Sequence, residues 1–322
     1  MKATAVAHPN IALVKYWGKA HIERNLPAVG SISITLDSLT TTTRVDFGTG
    51  SDRDELTLDG APASEDRSRR VRSCLDLFRR HRPDLPPAIV ESENSFPTAA
   101  GLASSASGFA ALVTAVNGVL DEPLEIHELA EISRRCSGSS PRSLFGGFVE
   151  LALVGEGTGV RPILDRRDWP LDVVIAVTSK VAKKVGSTDG MELTRKTSPF
   201  YETWVEKSPY DLALARGAIA SRDFEALAAV SEASCLAMHG VAMAARPGLL
   251  YWNGTTVECL HLVRSLREEG ARVFFTIDAG PQLKAICDPA SSDLVASALA
   301  GIPGVIEVVR CGLGDGARVV EG

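Results

Sequence analysis

The chain has 322 residues, 45% of them hydrophobic, and a formal net charge of -6. That length supports one large domain or two intimate ones with an ample core. The acidic balance argues against a broadly basic nucleic-acid surface, so any cations serving an anionic ligand must be concentrated locally.

Six cysteines without a Cys-x-x-Cys and six histidines without a His-x-x-x-His argue against a disulfide framework, a structural zinc and a protein-caged catalytic metal. The start, Met1 to Pro9, has no apolar run ahead of a small-residue cleavage site, which gives the expectation of a cytoplasmic protein. The stretch Thr98 to Leu120 is uncharged and long enough for a bilayer. It is rich in Gly, Ser and Ala and includes Thr98, Thr114 and Asn117, so its hydrophobicity is read as burial in protein.

In chain order, Ala3 to Lys19 alternates loosely and ends in Lys15-Tyr-Trp-Gly-Lys19. Lys15 and Lys19 are four apart and share a side in either a strand or a helical turn. They are either a cation pair facing one anion with Tyr16 and Trp17 as a wall, or two solvated lysines flanking a core aromatic. Ser31 to Leu36, Thr41 to Phe47 and Glu55 to Leu58 alternate with period two and read as antiparallel strands. Ser64 to Arg80 reads as a helix, with Val71, Cys74, Leu75 and Phe78 on one face and Arg67, Arg69, Arg70 and Arg72 outside it.

Ala88 to Glu93 is a short strand feeding Pro97-Thr-Ala-Ala-Gly-Leu-Ala-Ser-Ser-Ala-Ser-Gly108. Strand, glycine-containing loop, helix is the context in which backbone amides and a helix N-terminus hold phosphate. There is no lysine in the loop, so a nucleotide's charge would rest on the amides, on Ser104, Ser105 and Ser107, and on a magnesium ion. Close packing of a small-residue helix on a sheet explains the same composition. Leu124 to Arg135 reads as a helix, followed by a second Gly/Ser loop, Ser137-Gly-Ser-Ser-Pro-Arg-Ser143, with one cation, Arg142. Its planar fork among hydroxyl residues would suit a ligand carboxylate, or simply sit in a surface turn.

Leu171 to Thr178 is a continuous apolar run, as for a strand covered on both faces. Ser187 and Thr188 either cap the following helix or place hydroxyls on phosphate oxygens. Tyr210 to His239 reads as two helices split near Ser221, and Thr255 to Glu269 as a third. After the strand Ala271 to Ile277 come Asp278-Ala-Gly-Pro281, a short helix from Gln282 to Cys287, another from Ser291 to Ala300, and a strand from Gly304 to Arg310. The interleaving predicts an α+β sandwich with helices on one side of a sheet. Asp278, at a strand end, closes a turn or stands at the rim of a cleft.

Four blocks together, Lys15 to Lys19, Phe96 to Ser107, Ser137 to Gly147 and Asp278 to Pro281, resemble the diphosphomevalonate decarboxylase family of the GHMP kinase superfamily. The likeness runs from Asn10 to about Cys287. It implies a two-lobed GHMP kinase-like α+β fold: a β/α lobe with the phosphate loop over residues 1–182, a ferredoxin-like α/β sandwich over 183–322, and a cleft between. The implied reaction is ATP-dependent decarboxylation of (R)-5-diphosphomevalonate to isopentenyl diphosphate, ADP, phosphate and carbon dioxide in the mevalonate route to isoprenoids. Carried over residue by residue, Asp278 would meet the tertiary 3-hydroxyl and Arg142 the substrate carboxylate, with Lys15 and Ser187 near the transferring phosphate. Tyr16, Trp17, Gly18, Lys19, Arg70, Ser137, Gly138, Ser139, Ser140, Pro141, Thr188 and Met191 would line the substrate site. Ala100, Gly101, Leu102, Ala103, Ser104, Ser105 and Ser107 would cradle ATP, with Mg2+ carried by the nucleotide. A homodimer fits the family, and neither nucleic acid nor membrane is an expected partner. Ala28-Val29-Gly30 and Pro141 depart from the family's usual residues beside the ligand loops. A 5-phosphomevalonate decarboxylase, another GHMP small-molecule kinase and a nucleotide-binding regulator without turnover are the competing readings.

Overall fold

Thr41–Phe47 alternates buried and exposed side chains as its period-two pattern requires, and it lies near the middle of a six-stranded sheet in the computed structural model. The structure describes residues 1–96, 104–181 and 183–321. In this first sheet the spatial order is Arg318–Glu321, Lys2–Ala7, Thr41–Phe47, Ala88–Asn94, Glu55–Leu58 and Ala61–Pro62. Its neighbours are antiparallel except Glu55–Leu58 and Ala88–Asn94, which run parallel with Leu56 beside Val90. Helices α1 (Glu65–Arg79) and α2 (Ser104–Gly118) cover one face. Val71, Cys74, Leu75 and Phe78 of α1 and Phe109, Leu112 and Val116 of α2 share a core with Ala5, Val45 and Val90.

A second sheet has the order Gly157–Leu164, Phe148–Val154, Ser31–Thr35, Asn10–Val14. The third has Val273–Ile277, Leu283–Cys287, Asp172–Val177 and Glu307–Cys311. In Asp172–Val177, Val173, Ile175 and Val177 enter a core with Ile11, Ile32 and Ile34 of the second sheet, while Val174 and Ala176 enter another with α7 (Gly254–Glu268) and α8 (Ser292–Ala300). The apolar run is therefore buried on both faces, as a continuous hydrophobic strand should be. Helices α3 (Ile126–Cys136), α4 (Ser187–Thr197), α5 (Tyr201–Ser221) and α6 (Phe224–Met243) complete the set. By length and composition α6 is apolar enough to span a bilayer, but Phe224, Leu227 and Val230 pack into the core between second and third sheets.

The segment Gln282 to Cys287, expected to be helical, is a strand, Leu283–Cys287, whose five residues are all buried. Leu, Lys and Ala favour helix weakly, but here the tight turn after Ile277 folds the segment back in register with Val273–Ile277, Ala285 opposite Phe275. Burial of both faces outweighs the propensity. α5 starts at Tyr201 rather than Tyr210 and carries Pro209 in its interior. Strands not read as such include Lys2–Ala7, Asn10–Val14, Gly157–Leu164 and Arg318–Glu321, and the short Lys19–His21, Leu26–Pro27 and Ala61–Pro62. Asp172–Val177 sits in the third sheet although it precedes residue 182, and Arg318–Glu321 returns to the first sheet beside Lys2–Ala7.

Candidate active site

Where the first two sheets meet the third, the ends of several strands and helices enclose a cavity of about 1220 Å³. Among the described residues eight cationic side chains line it: Lys15, Lys19, Arg69, Arg70, Arg80, Arg135, Arg142 and Lys183. They face two carboxylates, Glu23 and Asp278. On a chain of net charge -6 this is a local concentration of positive charge, which selects an anionic ligand.

Lys15 follows the strand Asn10–Val14 and is only 1% exposed; its Nζ donates to Ala12 O at 2.9 Å and to Asp278 Oδ1 at 2.6 Å. Lys284, fully buried on the strand Leu283–Cys287, lies 3.5 Å from Asp278 Oδ2. Enclosure alone would raise the Asp278 pKa, but Lys15 and Lys284 outweigh it and hold the carboxyl well below the usual carboxylate range. The carboxylate closes no turn: Gly280 N–H donates to the backbone carbonyl of Asp278 at 2.7 Å instead. Asp278 keeps 26% of its side chain exposed, and it lines the cavity.

Arg142 stands on a short 3-10 turn, Ser140–Leu144, directly after α3. It is 2% exposed. Its Nε donates to Ser33 Oγ at 3.0 Å and Asn10 Oδ1 at 3.3 Å, and one terminal nitrogen to Ser31 Oγ. Burial lowers its pKa to about 10, so it stays charged at neutral pH. Among the described residues no carboxylate pairs with it within salt-bridge distance. A desolvated guanidinium held only by neutral acceptors has its charge left to be met by a ligand.

Ser187 and Thr188 open α4, yet Gly186 is the cap residue and makes no side-chain cap bond. Their hydroxyls face the cavity and accept from cations, Ser187 Oγ from Lys183 Nζ at 2.7 Å and Thr188 Oγ1 from Lys19 Nζ at 3.4 Å. Burial, helped by the Lys284 charge and opposed by Asp278, lowers the Lys183 pKa. Burial and then the nearby Arg70 guanidinium lower that of Lys19. Arg70 donates to Cys136 O at 3.2 Å and lies 4.8 Å over the Phe109 ring.

Of the residues expected at the site, Lys15, Tyr16, Trp17, Lys19, Arg70, Ser104, Ser105, Ser137, Gly138, Ser139, Arg142, Ser187, Thr188, Met191 and Asp278 line the cavity. Gly18, Ser107, Ser140 and Pro141 do not. Gly18 has φ 108°, and a Cβ there would lie 2.2 Å from Tyr201 Oη, so only glycine allows the chain to pass and turn Lys19 into the site. Ser107 is fully buried, its Oγ 2.6 Å from Thr41 Oγ1; it fastens α2 to the first sheet. Ser140 accepts from Ser133 Oγ at 2.7 Å. Pro141 sits at the start of the 3-10 turn, where its missing N–H is not needed. Ala100, Gly101, Leu102 and Ala103 lie outside the described residues. Sequence reasoning missed Arg80, Arg135, Lys183 and Lys284. Had Leu-Lys-Ala-Ile-Cys been read as a strand folded back on Val273–Ile277, Lys284 would have fallen opposite Thr276, two residues before Asp278.

Two family models match the chain: a diphosphomevalonate decarboxylase-like N-terminal domain over residues 7–158 and a mevalonate 5-diphosphate decarboxylase C-terminal domain over 173–302. The diphosphomevalonate decarboxylase of Candida albicans is 37% identical over 316 residues, covering 92% of this chain and 87% of its own. A solved structure described as MDDEF in complex with MVAPP, AMPPCP and magnesium superposes with a TM-score of 0.92 at 36% identity, covering 100% of this chain and 99% of its own. Mevalonate diphosphate decarboxylase from Staphylococcus aureus gives 0.93 at 35%, covering 99% and 98%. The two models span most of the chain, and the blocks they cover are those that converge on the caged Asp278 and the unpaired Arg142. The chain belongs to the diphosphomevalonate decarboxylase family.

Proposed function

We propose that the cavity binds (R)-5-diphosphomevalonate and ATP side by side and converts them to isopentenyl diphosphate, ADP, phosphate and carbon dioxide. The observation that carries this reading is the pairing of a caged, ionised Asp278 with an Arg142 that has no carboxylate partner, in one cationic cavity. The relative solved with MVAPP, AMPPCP and magnesium carries the same ligand classes.

A tertiary hydroxyl leaves poorly, so it is first phosphorylated. Asp278 accepts a hydrogen bond from the 3-hydroxyl and aims its oxygen at the γ-phosphorus; with two lysines beside it, its role is orientation rather than proton storage, and as the O–P bond forms and the bond to the ADP oxygen breaks, the hydroxyl proton passes to an oxygen of the transferred phosphate. Lys15, buried against Asp278, and Lys183, half-buried and bonded to Ala279 O next to it, supply positive charge to the transferring phosphoryl group. The C3–O bond then breaks and phosphate leaves with the electron pair. Arg142 holds the carboxylate in place while its carbon–carbon bond cleaves, those electrons forming the new double bond and releasing carbon dioxide.

The hydroxyls of Ser104 and Ser105 at the start of α2 line the cavity and suit nucleotide phosphates. Magnesium would arrive with ATP and screen its charge, since among the described residues no group of three His, Cys, Asp or Glu is placed to hold an ion. The test is to supply mevalonate, 5-phosphomevalonate and 5-diphosphomevalonate separately with Mg-ATP and to measure ADP and carbon dioxide together. Equimolar release with the diphosphate is expected; ADP without carbon dioxide from every substrate would refute the reading.

A further inference from the structure

Lys284 is fully buried and is absent from the cavity wall that Asp278 and Lys15 share. It therefore cannot touch a substrate in that cavity and acts on the site only through its neighbours. The carboxylate is gripped from two directions: Lys15, at the end of a strand of the second sheet, holds Oδ1 at 2.6 Å, and Lys284, within the third sheet, lies 3.5 Å from Oδ2. Lys15 is tied to this arrangement once more, through Ala12 O, which also accepts from Thr276 Oγ1 at 3.1 Å. Two cations on one carboxylate cost desolvation that a neutral donor would avoid. A hydroxyl would suffice merely to fix a rotamer. An ammonium fixes a rotamer and a charge.

Resting on the reaction proposed above, we propose that Lys284 is a positioning residue for phosphoryl transfer: by holding Oδ2 it keeps Asp278 a charged, single-rotamer acceptor whose Oδ1 side faces Lys15 and the reacting hydroxyl. The other groups facing Asp278 are Arg142 and Lys183, and from α6 His239 and Cys235. Burial keeps the His239 and Cys235 side chains neutral at physiological pH. With Lys284 removed, Lys15 is left as the one cation in direct contact with the carboxylate.

The test is the pH profile of kcat/KM for wild type and Lys284→Met, with kcat and both KM values measured separately. The expectation is a kcat lower by ten- to a hundredfold, KM values within about threefold, and an acidic limb moved upward by roughly one pH unit, because a carboxylate that loses a cation protonates more readily. Lys284→Arg should restore part of kcat and return the limb. In an Asp278→Asn background Lys284→Met should cost little more, since its route to the reaction is gone. An unmoved limb with near-normal kcat, or full additivity in the double variant, overturns the proposal. Should Lys284→Met fail to fold, Lys284→Gln is read by the same criteria. Carboxyl 13C NMR of wild type provides a separate check: the Asp278 signal, identified by its loss in Asp278→Asn, should stay ionised to pH 4, and titration near the ordinary value would overturn the proposal. If wild type itself does not turn over 5-diphosphomevalonate, the function fails, whereas this carboxyl titration still decides the cage.

Discussion

Arg142 uses three of its contacts to be held and leaves its charge unmatched by any carboxylate. Lysine has neither the planar fork nor the reach to satisfy Ser31, Ser33 and Asn10 together. Arg142→Lys should lower kcat/KM by two to three orders of magnitude, about 3–4 kcal/mol of transition-state stabilisation, while thermal melting shows a folded protein. His239 offers a different readout. Burial lowers its pKa to about 3, while its Nε2 hydrogen-bonds Ile277 O at 3.1 Å and its ring lies 4.7 Å from Trp252. Between pH 6.5 and 3 the unfolded state therefore binds a proton that the native state does not, so stability falls as pH falls through that window. His239→Gln should lose less stability than wild type between pH 7.5 and pH 4, by about 2–4 kcal/mol in paired urea titrations.

At the scale of elements, the short hairpin Lys19–His21 with Leu26–Pro27 overhangs the cavity, to which it contributes Lys19, Ile22, Glu23 and Asn25. One hold on the molecule is Arg134 of α3, a fully buried arginine that donates to both Arg24 O and Asn25 O at 2.8 Å, while Asn25 Nδ2 donates to Arg134 O at 2.6 Å. Arg134→Met should loosen the hairpin and cost about 2–3 kcal/mol of stability. Steady-state kinetics should show KM for the acidic substrate rising more than kcat falls, because Lys19 loses its placement and Asp278 does not. The elements also show what sequence can and cannot give. Thr41–Phe47 and the apolar face of α1 were legible because one side of each faces water, so the pattern carries the period. Leu283–Cys287 was misread because both of its sides are buried, leaving only propensity to judge by. Arg134 and Lys183 were not singled out because partners of each lie far along the chain, Arg24 and Asn25 for one and Ala279 for the other, and charge spacing does not record that. Lys15, Arg142 and Asp278 were marked by their blocks, and the cage around Asp278 emerged only when Lys284 was placed beside it.

Over the whole molecule, the core is divided among the three sheets, and the chain passes between lobes more than once. It enters the third sheet with Asp172–Val177, leaves it after Glu307–Cys311, and ends with Arg318–Glu321 on the edge of the first, bonded to Lys2–Ala7. On the way, Gly314 N–H donates to Thr35 O at 2.7 Å and Gly147 N–H to Gly314 O at 3.0 Å, stitching the return segment to the second sheet. Removing residues 317–322 should uncover the edge of Lys2–Ala7, lower Tm by several degrees and increase self-association, which calorimetry and light scattering would detect.

The pairing of Thr4 with Glu321 and of Val6 with Arg318 also has a bearing on how the protein is made. Nearly the full length of chain separates the two partners. During synthesis, at about 5–20 residues per second, the strand Lys2–Ala7 waits for a partner strand, Arg318–Glu321, that lies far down the chain. Thr41–Phe47 can cover its other side early, but one edge stays open until Arg318–Glu321 has been made. The first sheet is thus finished only once Arg318–Glu321 has emerged, and until then an exposed strand edge is open to pairing with another chain.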